Sequence, residues 1–321
     1  MVTLDAKWGV NSRATQEYDI ITDPGQYYEM YYKALYNYNV RDNGLSAYDA
    51  HVTANSTLGK PASQGGLGYI VYSVPEGEYL VGTNGRINPH ATLGNRVYNN
   101  GKFYTLIPDD WIDEAFRESL RQEYNLSLTG GSNKMNFYGS LGYLNNKGIA
   151  YNSDFERYTA RFKTDYQAKE WLKVGASLSY THTNQNDVND GDNLFSMVSG
   201  LAPIYPVYIR DDNGDIMTDE NGKLYDYGSG ENGGAKRPAN LLPARNPLQA
   251  NELNKNATIA NITTLNSYAD FTPIDGLKIT LNGTVTDNEW NNTSKVQPFY
   301  GTRLQPTLEA TSQRQRIRHS L

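Results

Sequence analysis

The sequence predicts an all-β fold: part of an antiparallel transmembrane β-barrel with long extracellular loops and two short helices. Three observations carry that expectation. Residues 122–181 contain four consecutive stretches, each about ten residues long, in which apolar and polar residues alternate, the pattern of a strand with two unlike faces. The mean hydropathy is −0.66 and the hydrophobic fraction 38%, yet 26 residues are tyrosine. A barrel wall combines these features, because one residue in two faces a wet lumen while Tyr and Trp gather at the membrane interfaces. Short turns also alternate with long connections, as periplasmic turns alternate with outer loops.

The elements follow in order. Val2, Leu4, Ala6, Trp8 and Val10 share one face of a first strand, against Thr3, Asp5, Lys7 and Gly9. Asp23, Pro24 and Gln26 then form a helix start, with Pro suited to the first turn and Gln closing a capping box. This helix is predicted to run to about Asn37, with Tyr27, Tyr28, Met30, Tyr31, Tyr32 and Leu35 as packing residues. Residues 39–108 are rich in Gly, Asn, Ser and Pro, and read either as a functional surface loop or as a small subdomain. Asp109–Phe116 reads as a second short amphipathic helix.

In the clearest part, Tyr124, Leu126 and Leu128 oppose Asn125, Ser127 and Thr129, and Gly130–Asn133 turns the chain. Met135, Phe137, Gly139, Leu141 and Tyr143 then oppose Asn136, Tyr138, Ser140 and Gly142. After a longer loop from Asn145, Tyr158, Ala160, Phe162, Thr164 and Tyr166 oppose Thr159, Arg161, Lys163 and Asp165. A short turn at Ala168–Glu170 leads to Leu172, Val174, Ala176, Leu178 and Tyr180. Soluble sandwich strands are usually shorter, about five or six residues. Residues 182–257 form the longest outer segment, with turn chemistry at Asp211–Asp215 and Asp219–Gly222 predicted to build a hairpin projecting from the rim. Ile259–Phe271 and Leu277–Asp287 add two strands, and the last twenty residues show no terminal aromatic strand. The chain thus divides into 1–121, an early barrel strand plus a long loop region with two short helices, and 122–321, consecutive barrel strands with a long outer loop at about 182–257.

The formal charge of −6 and the pI of about 5.3 argue against nucleic acid, since Arg314, Arg316 and Arg318 make too short a basic run. With no cysteine there is no disulfide, thiol nucleophile or Cys-bound zinc. No apolar run reaches the roughly 18 residues of a membrane-spanning helix. Val2–Val10 carries Asp5 and Lys7 and lacks the apolar stretch of a signal peptide.

Several runs together resemble the SusC/RagA family of TonB-linked outer-membrane transporters. They are Asp110-Trp111 with Asp113-Glu114 and Phe116, the run from Gln122 to Ser132 through Gly130-Gly131, and Tyr138 with Leu141-Gly142-Tyr143. Gly148-Ile149, Phe155 with Arg157-Tyr158, and Leu172–Gly175 extend the likeness, and Trp8–Ala14, Tyr18-Asp19 and the Asp23-Pro24 helix resemble the family's early barrel. The resemblance implies a segment of an outer-membrane transporter that imports a polysaccharide or peptide together with a SusD-like surface lipoprotein. It implies energy from the TonB complex, contacted through an N-terminal part that this sequence does not show. Nothing resembles the family's plug domain, TonB box or closing strands, so the expectation is a fragment of the barrel with the plug absent. The competing reading is a secreted all-β carbohydrate-binding module or adhesin, with a two-sheet core.

No catalytic residue, cofactor or metal is expected. Asp109/Asp110 and Asp113/Glu114 read as helix N-terminal charge rather than a glycosidase pair. Asp211-x-Asn213-x-Asp215 fails the EF-hand pattern, because the sixth and twelfth positions hold Ile216 and Gly222. The four histidines (His51, His90, His182, His319) lack ligand spacing, and no nucleophile or phosphate-loop signature occurs. For ligand contact the candidates are Tyr205, Tyr208, Tyr225 and Tyr227 in the outer segment, with packing of loop on loop as the other reading. Asn136, Arg161, Lys163 and Asp165 are expected to face the lumen, and Phe137, Leu141, Phe162 and Leu178 to touch membrane lipid.

Overall fold

A computed structural model describes residues 1–14, 20–188, 194–220, 222–238, 245–296, 299–300, 303–304 and 309–320. One antiparallel sheet of eight strands dominates it. In chain order the strands are β1 (Val2–Asn11), β2 (Ser119–Gly131), β3 (Met135–Lys147), β4 (Asp154–Lys169), β5 (Leu172–Asn186), β6 (Lys255–Ile274), β7 (Leu277–Val296) and β8 (Glu309–Ser320). Each pairs with the next, and β1 and β8 are the edges of the described sheet. Strands β2–β7, of 13 to 20 residues, far exceed the usual five or six.

The connections are unequal by end. Ser132–Lys134, Glu170-Trp171 and Asp275-Gly276 close hairpins at one end, the last with Gly276 at φ 85°, a left-handed position open to glycine. The long segments 12–118 and 187–254 leave from the other end. They carry all five α-helices found among the described residues: α1 (Pro24–Arg41), α2 (Ala47–Leu58), α3 (Trp111–Ala115), α4 (Leu194–Ser199) and α5 (Pro247–Leu253). Helix α1 starts as the sequence predicts, with Asp23 accepting from the Gln26 amide at 2.6 Å, and outlasts the expected end by one turn. Helix α2 was not expected; Ser46 caps it, accepting from the Asp49 amide at 3.1 Å. Strand β8 likewise lies where the sequence showed no aromatic terminal strand; its ladder to β7 runs from Glu309 to Ser320.

Register sorts the side chains into two faces. One row crosses seven strands as Val2, Leu128, Gly139, Phe162, Leu178, Leu265 and Val285. Leu4, Leu126, Leu141, Ala160 and Tyr180 form the next row. These apolar side chains are bare; Leu141 is 61% and Phe162 50% exposed. The row of Tyr124, Tyr143, Tyr158 and His182 lies toward the long loops, its neighbouring ring centroids 5.0–6.3 Å apart. Met135, Tyr166 and Trp171 lie toward the short turns, Trp171 stacking on Phe271 at 6.4 Å. From Tyr158 to Tyr166 is about 27 Å of strand, or on the order of 20 Å of height at the tilt of about 40° found in membrane walls, against an apolar band of about 25 Å.

The opposite face is polar. Asn136, Asp165, Gly175, Tyr268 and Asn282 form one of its rows, and Ser177, Asn266 and Thr284 are linked by hydrogen bonds in another. The buried hydrophobic clusters lie instead in the long segments: Tyr28, Leu58, Tyr69 and Val71 join Ile204 and Tyr205, while Trp111, Ile112 and Ala115 join Val207, Tyr208 and Leu248. Residues 39–108 therefore belong to a loop core shared with 201–205.

Gly175 is fixed by packing: a Cβ there would lie 2.1 Å from the Tyr268 ring. Gly175→Val is expected to push Tyr268 off Asp165 and to destabilise the sheet by about 1–3 kcal/mol, read as a lower urea midpoint of the assembled protein; an unchanged midpoint would refute the close contact.

Candidate functional site

The four tyrosines expected to meet ligand sit within the loop core. Tyr205 is fully buried; its hydroxyl donates to the Leu67 carbonyl at 3.2 Å, its ring meets Tyr69 edge-on at 5.1 Å, and its carbonyl accepts from Trp111 Nε1 at 2.8 Å. Tyr208 is buried, donates to Glu114 at 2.7 Å, and lies 5.2 Å from the Tyr225 ring. The Tyr225 hydroxyl is held by Glu252, and half-buried Tyr227 donates to Gln249 at 2.5 Å. Sequence neighbours of the turn type suggested exposed rings; partners distant in the chain bury Tyr205, Tyr208 and Tyr225 instead. Burial, and then the Glu114 carboxylate, push the Tyr208 hydroxyl well above its ordinary range, so it stays a neutral donor.

Charged groups pin this core. Asp109 and Arg210 form a two-pronged pair, Nη2 to Oδ1 at 2.5 Å and Nη1 to Oδ2 at 3.1 Å, with both side chains about one-tenth exposed. Asp109 also accepts from the Val207 amide at 2.7 Å. Asp226 is fully buried and accepts from Tyr69 at 2.9 Å, Asn232 at 3.1 Å and the Gly228 amide at 2.5 Å. Arg237 lies beside it, donating to the Asp226 carbonyl at 3.1 Å while its guanidinium stands 5.6 Å over the Trp111 ring. Asn246 bridges the Val207 and Asp226 carbonyls and caps α5. No local pattern marks this network, since Tyr69 and Asp226 lie 157 positions apart.

On the wall, Asn136, Arg161, Lys163 and Asp165 share the polar face, Asn136 directly opposite Asp165. Tyr268 donates to Asp165 at 2.5 Å, and Lys163 approaches the same carboxylate at 3.9 Å. Phe137, Leu141, Phe162 and Leu178 point to the apolar face.

The carboxylates near α3 have separate tasks. Asp110 caps the helix, accepting from the Ile112 and Asp113 amides, while Asp109 and Glu114 hold Arg210 and Tyr208. Asp211 accepts from the Asn213 and Asp215 amides in a turn of its own, and the bridges Arg210–Ile216 and Tyr208–Tyr225 pair the arms of hairpins in this segment. Among the described residues no group of three or more His, Asp or Glu side chains is arranged to hold a metal.

No family model matches the chain. TonB-dependent receptor P26 of Formosa agariphila is 27% identical over 165 residues, covering 51% of this chain and 14% of that protein. TonB-dependent receptor SusC of Bacteroides thetaiotaomicron is 26% identical over 104 residues, covering 32% of this chain and 10% of that one. The chain is SusC/RagA-like. The solved RagAB peptide transporter overlays on 94% of it at a TM-score of 0.56 and 19% identity, which speaks to the fold; 30% of that chain is covered. The RagAB importer in its "open-open" state gives a TM-score of 0.52. The SusC/RagA-like chain thus spans about a seventh or less of the curated relatives' length.

Arg210→Ala is expected to leave Asp109 buried without its partner and to destabilise the loop core by about 3–5 kcal/mol; an unfolding midpoint, followed by Trp111 fluorescence, equal to wild type would contradict this. Burial, which outweighs the nearby Arg237, raises Asp226 from 3.8 to about 7. A carboxyl raised on folding holds its proton more tightly in the native state, so its stabilising share is complete below about pH 4 and is lost as pH climbs to about 7. Asp226→Asn is expected to shrink the fall in melting temperature between pH 5 and pH 8, and an equal or larger fall would count against the assignment.

Proposed function

We propose that this chain forms part of the wall and outer loops of a TonB-dependent outer-membrane transporter of the SusC type. In this reading the apolar face meets lipid and the polar face, with Asn136, Arg161, Lys163 and Asp165, lines the passage. The long segments make an extracellular cap, and a SusD-like surface lipoprotein delivers a glycan or peptide to it. TonB then supplies energy through a part of the protein outside this chain. No catalysis and no cofactor belong to this reading.

The observation that carries it is the continuous apolar row over seven strands, bare between two belts of aromatic rings. A face of this extent is foreign to a soluble surface, where large apolar patches are covered. The rival carbohydrate-binding module needs a second sheet packed on the first, and among the described residues the other sheets are two-stranded. The relatives named receptor and transporter support the same choice. The division at residue 121 is a matter of chain order: β1 joins the large sheet, and loop residues on both sides of 121 share one core.

Leu141→Arg and Leu178→Arg, made in the intact membrane protein, place a charge on the lipid face at a cost of about 2–4 kcal/mol near mid-bilayer. Assembly into the outer membrane, read as heat-modifiable mobility on gels, is expected to fall for both, whereas Arg161→Leu on the polar face leaves it near wild type. Normal assembly of both arginine variants would sink the reading.

A further inference from the structure

Most strand glycines of this wall are held small by a neighbour. A Cβ on Gly130 would lie 2.6 Å from the Phe137 ring, one on Gly142 2.5 Å from Thr159 Oγ1, and one on Gly175 against Tyr268. Gly139 is not held in this way, and neither are Gly9, with nothing within 4 Å, and Gly283, with Ser267 Oγ at 3.5 Å. The nearest atom to a Cβ on Gly139 would be the Arg161 carbonyl oxygen at 4.0 Å, and its backbone is not left-handed. Its pairing runs unbroken from Leu128 to Phe162, so no bulge demands it. Glycine within a strand weakens it and often marks a place that something approaches closely; among the open glycines of the described residues, Gly139 is the one that lies in a groove.

What lies over Gly139 is a groove of about 430 Å³, walled by Leu126, Leu128, Leu141, Phe162 and Leu178 and floored along the diagonal from Gly139 to Ala160. Tyr180 closes its upper rim, with its hydroxyl turned to Asn261 at 2.9 Å. The groove begins two residues below the Tyr143–Tyr158 pair and ends above the Met135–Tyr166 pair, on the side of the long loops. The floor runs diagonally across two neighbouring strands, about 4.8 Å apart, and its apolar lining suits a linear hydrocarbon chain.

We propose that this groove seats one acyl chain of an outer-leaflet lipid. The inference rests on the membrane reading above: at this height the available occupant is hydrocarbon, and the groove's lining offers more dispersion contacts than a flat wall. Gly139 and Ala160 are small because the chain, and not a neighbouring side chain, fills the space above them.

The test uses the intact wild-type protein in its own membrane. Cells are fed a diazirine-bearing palmitic acid that enters their lipids, and cross-linked peptides are mapped after illumination. Adducts are expected on Leu126, Leu141, Ala160 and Phe162 at several times the yield on Leu265 or Leu281, which lie outside the groove on the same face. An even spread over the apolar face would overturn the groove while leaving the membrane reading intact; absence of adducts from the whole face would overturn both. Gly139→Leu with Ala160→Leu fills the groove with residues suited to lipid. The assembled double variant is expected to lose the local excess, and its persistence would overturn the proposal as well.

Discussion

The strand-to-strand hydrogen-bond ladder is the interaction on which the rest of the wall depends. In a sandwich a sheet is held by the layer packed on it, but here the buried clusters lie in the loops and both faces of the large sheet are open. The ladder therefore carries the wall, helped by cross-strand pairs such as Leu126 with Leu141 and Leu178 with Leu265. In hydrocarbon each backbone group must find its partner within the protein, which accounts for strands as long as β6 and β7. It also makes register decisive. A slip by one residue would carry Arg161 and Lys163 to the apolar face and Phe162 to the polar one.

The loop core obeys the opposite logic. Its segments are irregular, so their polar groups have no ladder and depend on side chains: Asn246 serves two carbonyls, Asp109 an amide and a guanidinium, Asp226 a hydroxyl and an amide. Charges buried in this way contribute little net stability, yet each leaves an expensive orphan when its partner is removed. That asymmetry makes the core selective for one arrangement of 20–118 against 194–254, segments that are distant in sequence and adjacent in space.

Legibility follows from how far apart the deciding residues are. Strands β2 to β5 were readable because period-2 alternation is written inside each strand, and α1 because Asp23, Pro24 and Gln26 are neighbours. Strand β8 was not: Gln313, Arg314, Gln315 and Arg316 carry no apolar face of their own. What makes them a strand is β7, where Glu289 and Asp287 accept Arg314 and Arg316 as ion pairs. Helix α2 had a signal in Ser46 and Asp49, hidden by the Gly- and Asn-rich composition around it. For Tyr205 and Tyr225 the local signal pointed the wrong way, because turn residues beside a ring say nothing about what folds over it.

The 26 tyrosines show why composition alone names a barrel without locating its working surfaces. Tyr143 and Tyr158 both donate to Glu156, 13 and 2 positions away, within one wall face, and their rings remain partly open. Tyr268 reaches Asp165 across 103 positions on the polar face, and Tyr205 reaches Leu67 across 138 inside the loop core. A hydroxyl whose partner is far in sequence makes its ring a tie between segments, on the wall for Tyr180 and Tyr268 and in the loop core for Tyr205. Such a tyrosine is occupied by folding before any ligand arrives. In the proposed passage, contacts with cargo are therefore better sought on the polar face, where exposed Asn136 and Arg161 stand two rows apart with the Lys163 row between them.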